Sequence, residues 1–315
     1  MLRADKHNKK RKWPKVVGIL FLLLLLAGGA YAYSIYHSLS KTAETMNEKI
    51  DRPKSEKREK EVEFDKKHPF SVLLLGVDER SGDRGRSDTM IVLTVNPHEK
   101  TTKMLSIPRD TRVDIIGKGF KDKINHAYAF GGIEMSMDTV EEFLDIPIDY
   151  YAKINMEGFE DIVNAVGGVT VDNTFAFKDG GYSFAEGQID LTGKEALAYA
   201  RMRKQDPRGD FGRQARQRQV IQAVLKEGAK VSSLWNYGDI FNAIGENVKT
   251  NLTLEEMVDI QKNYKSATKN ISQSQISGSG AMINNGTQDI YYYIVPEEER
   301  TKVQDDLKDH LDLNE

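Results

Sequence analysis

The stretch FSVLLLGVD at residues 70–78 is a continuous apolar run that breaks at Gly76 and Asp78, the pattern of a buried strand that hands its last residues to a loop. TMIVLTVN at 89–96 and KMLSIP at 103–108 repeat the pattern. Further along, Ile133, Met137, Val140 and Leu144 recur at helical spacing, as do Phe159, Ile162, Val163 and Val166 ahead of Gly167-Gly168, a natural helix stop. Thr192-Gly193-Lys194-Glu195 and Thr253-Leu254-Glu255-Glu256 match the capping-box pattern and place helix starts there. IYYYIVP at 290–296 reads as one more buried strand, with Tyr291, Tyr292 and Tyr293 as strand and core residues. Mixed strands and helices without an internal repeat predict a layered α/β sandwich whose strand order periodicity does not encode.

Upstream of this domain the chain changes character. Residues 16–36, VVGILFLLLLLAGGAYAYSIY, carry no charge and have the roughly 20 residues that a helix needs to cross a bilayer. Arg3, Lys6, Lys9, Lys10, Arg11, Lys12 and Lys15 precede them against Asp5 alone, so residues 1–15 should stay cytoplasmic and everything after Tyr36 should lie outside. This predicts a single-pass membrane protein of type II orientation. A cleavable signal peptide ending near Ala30-Tyr31-Ala32 is the other reading, and both export the rest of the chain. The absence of cysteine suits an external compartment and excludes disulfides and thiolate metal sites. Residues 37–69, including SEKREKEVEFDKKH, hold few apolar anchors, chiefly Ile50, Val62 and Phe64, and read as a charged, solvated stalk. Residues 70–315 then form one folded domain.

Overall composition hides the charged clusters that matter. The chain has 315 residues, 45 Lys+Arg against 48 Asp+Glu, 30% charged and 39% hydrophobic, which excludes collagen-like and fully disordered classes. Between the first two apolar runs, Asp78, Arg80, Asp83, Arg84, Arg86 and Asp88 crowd into one loop, where carboxylates suit a hard cation and guanidinium groups suit phosphate. The third run ends in Ser106-Ile107-Pro108-Arg109-Asp110, a second Arg/Asp pair at a strand end.

The densest cluster is YARMRKQDPRGDFGRQARQRQVI at 199–221, with Arg201, Arg203, Arg208, Arg213, Arg216 and Arg218 against a single lysine. That bias favours the planar fork that grips phosphate oxygens in pairs. On a helical projection Arg213 and Gln217 extend the stripe of Val220, Ile221 and Val224 and point inward, whereas Arg218 falls at its solvated edge. An inward arginine needs a carboxylate such as Asp206 or Asp210, or an anionic ligand. A phosphorylated lipid is the expected ligand for a domain tethered beside a membrane, held by an arginine-and-metal mouth above an apolar slot.

Other chemistries find less support. External placement and the lack of a recognition motif argue against nucleic acid. No Gly-x-x-x-x-Gly-Lys-Ser/Thr loop is present. The six histidines show no paired metal spacing, so His126 reads as structural or surface, and no serine triad is supported.

The motifs GVDER, GRSDTM, SIPRDTR, KINHAYAFGG, YARMR and GDFGRQARQRQ, in this order behind one membrane segment, resemble the LytR-CpsA-Psr family of Gram-positive bacteria, from about Phe70 to Val220. The resemblance implies an α/β/α sandwich with a mixed central sheet and a prenyl chain in an apolar pocket. It implies an extracellular phosphotransferase that moves an anionic glycopolymer, typically wall teichoic acid, from undecaprenyl diphosphate to a muramic acid hydroxyl of peptidoglycan. Carried over motif by motif, Asp78 and Asp88 would hold Mg²⁺, with Mn²⁺ an alternative, and Arg86, Arg109, Arg201, Arg203, Arg213 and Gln217 would contact the diphosphate. Arg109, Arg201 and Arg203 would stabilise transition-state charge, with Asp88 and Asp110 candidates for the base. Lys123 and Asn125 match a further motif near the pocket. A lipid-diphosphate pyrophosphatase and a noncatalytic envelope regulator remain as alternatives.

Overall fold

The computed structural model describes residues 33–34, 36–52, 54–78, 85–230 and 244–314. The expected basic tail and nearly all of the expected membrane segment lie outside these residues, as do Arg80, Asp83 and Arg84. Among the described residues no helix is long and apolar enough to cross a membrane.

The three apolar runs form β1 (Phe70–Val77), β2 (Ser87–Asn96) and β3 (Thr101–Ser106), followed by the short hairpin β4 (Arg112–Asp114) and β5 (Lys121–Lys123). Then come α1 (His126–Leu144), β6 (Tyr150–Ile154), α2 (Met156–Ala165), the strands β7 (Val169–Asn173), β8 (Phe177–Asp179), β9 (Tyr182–Phe184) and β10 (Gly187–Leu191), α3 (Gly193–Arg201) and α4 (Asp210–Lys230). The chain closes with β11 (Val248–Thr250), α5 (Leu254–Asn263), β12 (Asn270–Gln275), β13 (Ser279–Asn284), β14 (Asp289–Ile294) and α6 (Glu297–His310). Both capping boxes are present: Thr192 with Glu195 starts α3, and Thr253 with Glu256 starts α5.

The central sheet has the order β11-β6-β1-β2-β3-β12. It is mixed, because β1 pairs antiparallel with β2 and parallel with β6, while β3 pairs antiparallel with β2 and parallel with β12. Its continuous apolar strands are explained by burial on both faces. Leu73, Leu75, Val92 and Leu105 face Met137, Val140 and Leu144 of α1 and Leu307 of α6. Phe70, Val72, Leu93 and Met104 point the other way, toward Ile221 and Leu225 of α4, Ile260 of α5 and Tyr264. A smaller core of Val163, Val171, Phe177, Leu191, Tyr199 and Val220 joins α2, α3 and α4 to the β7–β10 ribbons.

Two expectations are corrected. Residues 47–69 are not a solvated stalk, because few but well-placed groups dock them: Arg58 forks onto Asp149 at 2.5 and 2.8 Å, and Arg52 and Ser55 both bond Glu141. Phe64 is buried among Phe70, Tyr150 and Tyr264 at ring distances of 5.2–5.6 Å. The helical residues 36–46 bury Leu39, Ala43 and Met46, and Asn47 then bridges to Thr250 at the sheet edge. Counting apolar residues missed this, since paired carboxylates on the domain receive the arginines. The second correction concerns IYYYIVP, which forms half of a two-stranded ribbon rather than a buried strand, so Tyr291 is 45% exposed while Tyr292 and Tyr293 are buried.

Candidate active site

A cleft of about 290 Å³ opens at the ends of β1, β2 and β6, between α2, α3 and α4. One wall is apolar, built from Leu74, Ile154, Met156, Phe159, Leu197, Ala200 and Ile221. Asp78, Asp88, Arg201, Arg213 and Gln217 supply the polar side. Apolar walls with a few convergent polar groups are the usual make-up of a ligand site.

Strand geometry delivers the two aspartates. Gly76 opposes Thr89 and Val77 opposes Ser87, so Asp88 is the extra residue of a β-bulge. A bulge re-aims a side chain out of the ladder alternation, here into the cleft beside Asp78, which directly follows β1. Arg109, just past β3, places Nη1 2.5 Å from Asp88 Oδ1 and Nε 3.9 Å from Asp110 Oδ2. Burial opposes the Arg109 cation, but the Asp88 hydrogen bond and the charges of Asp88, Asp210 and Asp110 outweigh it and raise its pKa.

Arg213 and Gln217 face inward from the first turns of α4, as the helical projection predicts. Arg213 Nη2 lies 2.7 Å from Asp210 Oδ1, but the angle is wrong for a hydrogen bond, and Nε, Nη2 and that oxygen are buried without hydrogen-bond partners. Gln217 Oε1 is in the same condition. Burial lowers the Arg213 pKa, Arg109 and Arg203 add to the effect, and Asp210 opposes it. The buried, unbonded donors of Arg213 carry a desolvation cost that an arriving polyanion would relieve. Arg203 is more exposed and stands 3.9 Å from Asp210 Oδ1, and Arg201 is exposed at the end of α3 while lining the cleft. Arg86 is exposed and does not line the cleft among the described residues.

Two arginines of the cluster do other work. Arg216, 3% exposed, bonds Asp206 Oδ2 at 2.5 Å, Tyr199 O at 3.0 Å and Met202 O, and so fixes the turn that carries Arg201 and Arg203. Burial would raise the Asp206 carboxyl, but hydrogen bonds from Arg208 and Arg216 prevail and hold it at about 2. Gly212 is required here, because a Cβ would sit 1.8 Å from Asp206 Oδ2. Arg218, expected at a solvated edge, is instead 8% exposed and donates to Ser106 Oγ at 2.7 Å, with burial lowering its pKa to about 10. The projection failed because α4 is covered on that side by the end of β3, which a single helix's periodicity does not register.

Sequence reasoning treated Asp210 only as a possible partner, yet it is the anion between Arg203 and Arg213; its place three residues before Arg213 was the available signal. Lys123 donates to Asp110 Oδ1 at 2.7 Å, which brings KINHAYAFGG beside the Arg109 loop. His126 pairs with Asp122 at 2.7 Å. For a divalent cation, no group of three His or acidic residues exists among the described residues. Two carboxylates on one cleft wall nonetheless fit Mg²⁺, which takes one or two protein carboxylates and fills its octahedron from phosphate and water.

An arginine-and-aspartate rim over an apolar slot, at the strand ends of a mixed sheet, has the chemistry that an amphiphilic phosphate would need. The chain belongs to the LytR_cpsA_psr family, whose model matches residues 33–309. Among its relatives, the Bacillus subtilis protein named polyisoprenyl-teichoic acid–peptidoglycan teichoic acid transferase TagU is 53% identical over 311 residues, 99% of this chain and 100% of that protein. The crystal structure of B. subtilis TagU matches with a TM-score of 0.63 at 53% identity, over 78% of this chain and 97% of that one. A structure of TagT bound to LIIa-WTA matches with a TM-score of 0.70 at 35% identity, over 82% and 96%.

Proposed function

We propose that this chain is a glycopolymer–peptidoglycan phosphotransferase, taking an anionic glycopolymer, wall teichoic acid in the first instance, from a polyprenyl diphosphate carrier. The observation that carries this reading is the cleft itself: buried donors of Arg213 that make no hydrogen bond, beside the Asp210 carboxylate, stand at the head of an apolar slot. The prenyl chain lies along Phe159, Leu197 and Ile221, and the diphosphate meets Arg109, Arg201, Arg203, Arg213 and Gln217, with Arg86 joining from the rim. Asp78 and Asp88 would hold Mg²⁺, or Mn²⁺, which would neutralise phosphate charge when bound. The single-pass anchor, with its N-terminus cytoplasmic, keeps the cleft on the outer face of the membrane of a Gram-positive cell.

An acceptor hydroxyl oxygen forms a bond to the polymer-side phosphorus while the bond from that phosphorus to the bridging oxygen breaks, releasing polyprenyl phosphate. Charge grows on the nonbridging and leaving oxygens, where the guanidinium groups stabilise it without a covalent intermediate. The hydroxyl proton passes to a rim carboxylate, Asp88 or Asp110.

The test incubates the whole chain in detergent with a radiolabelled polyprenyl-diphosphate-linked teichoic acid precursor, Mg²⁺ and purified peptidoglycan. Label on peptidoglycan with polyprenyl phosphate released is the expected result. Release of label to water at the same rate without peptidoglycan would overturn it in favour of a pyrophosphatase, and an intact donor would leave a regulator.

A further inference from the structure

We propose that the exposed face of the β13–β14 ribbon, with Phe211 beside it, is the acceptor subsite, a platform for the sugar rings of a peptidoglycan glycan strand. The identity of the glycan rests on the transferase reading; the existence of the platform does not.

Among the described residues eight large hydrophobic side chains are exposed, and three of them, Phe211, Met282 and Tyr291, belong to this face. Met282 and Tyr291 are register partners on the β13–β14 ribbon and present the same face. Tyr291 is held flat: its ring lies over Gly280, where a Cβ would come within 2.7 Å of it. The ribbon is fastened to the site, since Tyr293 N donates to Asp110 O at 2.8 Å and the Phe211 ring lies 5.6 Å from that of Tyr293.

The platform is continuous with the phosphate cluster. Lys123 Nζ stands 5.9 Å from the centre of the Tyr291 ring while donating to Asp110, and Asp110 adjoins Arg109. None of these aromatic residues lines the apolar slot. In-line displacement puts nucleophile and leaving group on opposite sides of the phosphorus. With the leaving lipid phosphate over the slot, the hydroxyl must arrive from another side, and the Asp110–Lys123 side is where rigid rings wait. The Tyr291 ring and Met282 beside Lys123 offer both a flat apolar surface and a hydrogen-bonding group, the combination a pyranose requires, and the lysine complements the carboxylates of muramic acid and its peptides.

The test measures binding of soluble, polymer-free glycan strands to the whole chain in detergent, for wild type, Tyr291→Ala, Met282→Ala and Tyr291→Phe. Each alanine should weaken glycan binding about tenfold, Tyr291→Phe should largely restore it, and binding of polyprenyl diphosphate should not change. Both residues are surface-exposed, so folding should survive, and unchanged melting checks this. No glycan binding by wild type, or equal binding by the alanine variants, would overturn the platform. So would loss of binding to anionic phospholipid vesicles in place of glycan, which would make the face a membrane contact. Glycan binding through these rings without any transfer would sink the transferase reading alone, whereas transfer with an unchanged acceptor KM in Tyr291→Ala would sink the platform alone.

Discussion

Arg109 and Asp88, brought together from the ends of neighbouring strands, form an ion pair at 2.5 Å on the rim of the cleft, so that in the proposed reading the carboxylate that would hold Mg²⁺ also orients the guanidinium that would meet the diphosphate. Their contributions are therefore coupled. Arg109→Ala and Asp88→Asn should each slow polymer transfer about a hundredfold, the first by removing a transition-state donor and the second by removing the carboxylate that holds that donor in place. The double variant should lose little more than either alone, because the two act as a unit. Single-turnover rates with labelled donor would decide; additive losses would mean the two groups act separately.

Arg216 and Arg218 are two residues apart, both buried, and should respond oppositely to the same change. Arg216→Met leaves Asp206, which has no exposed side-chain surface, with Arg208 as its remaining charged partner. Breaking such a pair costs about 3–5 kcal/mol. Arg218 has no carboxylate partner among the described residues, so Arg218→Met removes a buried cation and leaves only the Ser106 hydroxyl. Its stability should stay within about 1 kcal/mol of wild type or rise. Urea midpoints with constant slope would check both, and a large loss in Arg218→Met would refute the second.

How far the sequence carries can be judged from the same helix. Arg213 and Gln217 were legible because their positions extend an apolar stripe, and helix faces are set by local geometry. Arg218 was not, because what covers the next face is a strand end more than a hundred residues earlier in the chain. The bulge that turns Asp88 into the cleft was equally hidden: FSVLLLGVD and TMIVLTVN announce two strands, but nothing in either fixes the one-residue slip between Val77–Ser87 and Gly76–Thr89. Capping boxes at Thr192 and Thr253 were readable for the opposite reason, since a cap and its partner lie within one turn.

The docked segment before β1 sets where a soluble form can begin. A chain starting at residue 70 lacks Arg58 and Phe64, leaving Asp149, 6% exposed, without its arginine and a hole among Phe70, Tyr150 and Tyr264. An unpaired buried charge and a lost core phenyl together should cost at least about 3 kcal/mol relative to a chain starting at residue 37. Thermal melts of the two chains, with Arg58→Met in the longer one, would separate the charge from the cavity. Equal melting temperatures would return residues 47–69 to the role of a spacer.

His310 should give the fold a pH dependence of its own, away from the cleft. Its ring is 1% exposed and stands 2.7 Å from Thr94 Oγ1 through Nδ1 and 2.7 Å from Thr101 Oγ1 through Nε2. Thr101 Oγ1 donates to Glu99 at 3.2 Å, so it can accept from Nε2, and Thr94 then donates to Nδ1: a neutral ring satisfies both contacts. Protonation would force Thr94 to accept instead. Burial, with help from the Lys103 charge, lowers the His310 pKa from 6.5 to about 4, against the opposing pull of Glu99 and Asp306. Because the folded value lies below the unfolded one, the unfolded chain binds the extra proton between these limits. Stability is then full above pH 6.5 and falls as pH drops toward 4, by at most about 3 kcal/mol. The Asp206 contribution, from the ordinary 3.8 down to about 2, is lost only at lower pH and leaves this window clear. Unfolding free energies across pH 4–7 should show the slope in wild type and a shallower one in His310→Gln, and parallel curves would mean that the imidazole titrates as it does in water.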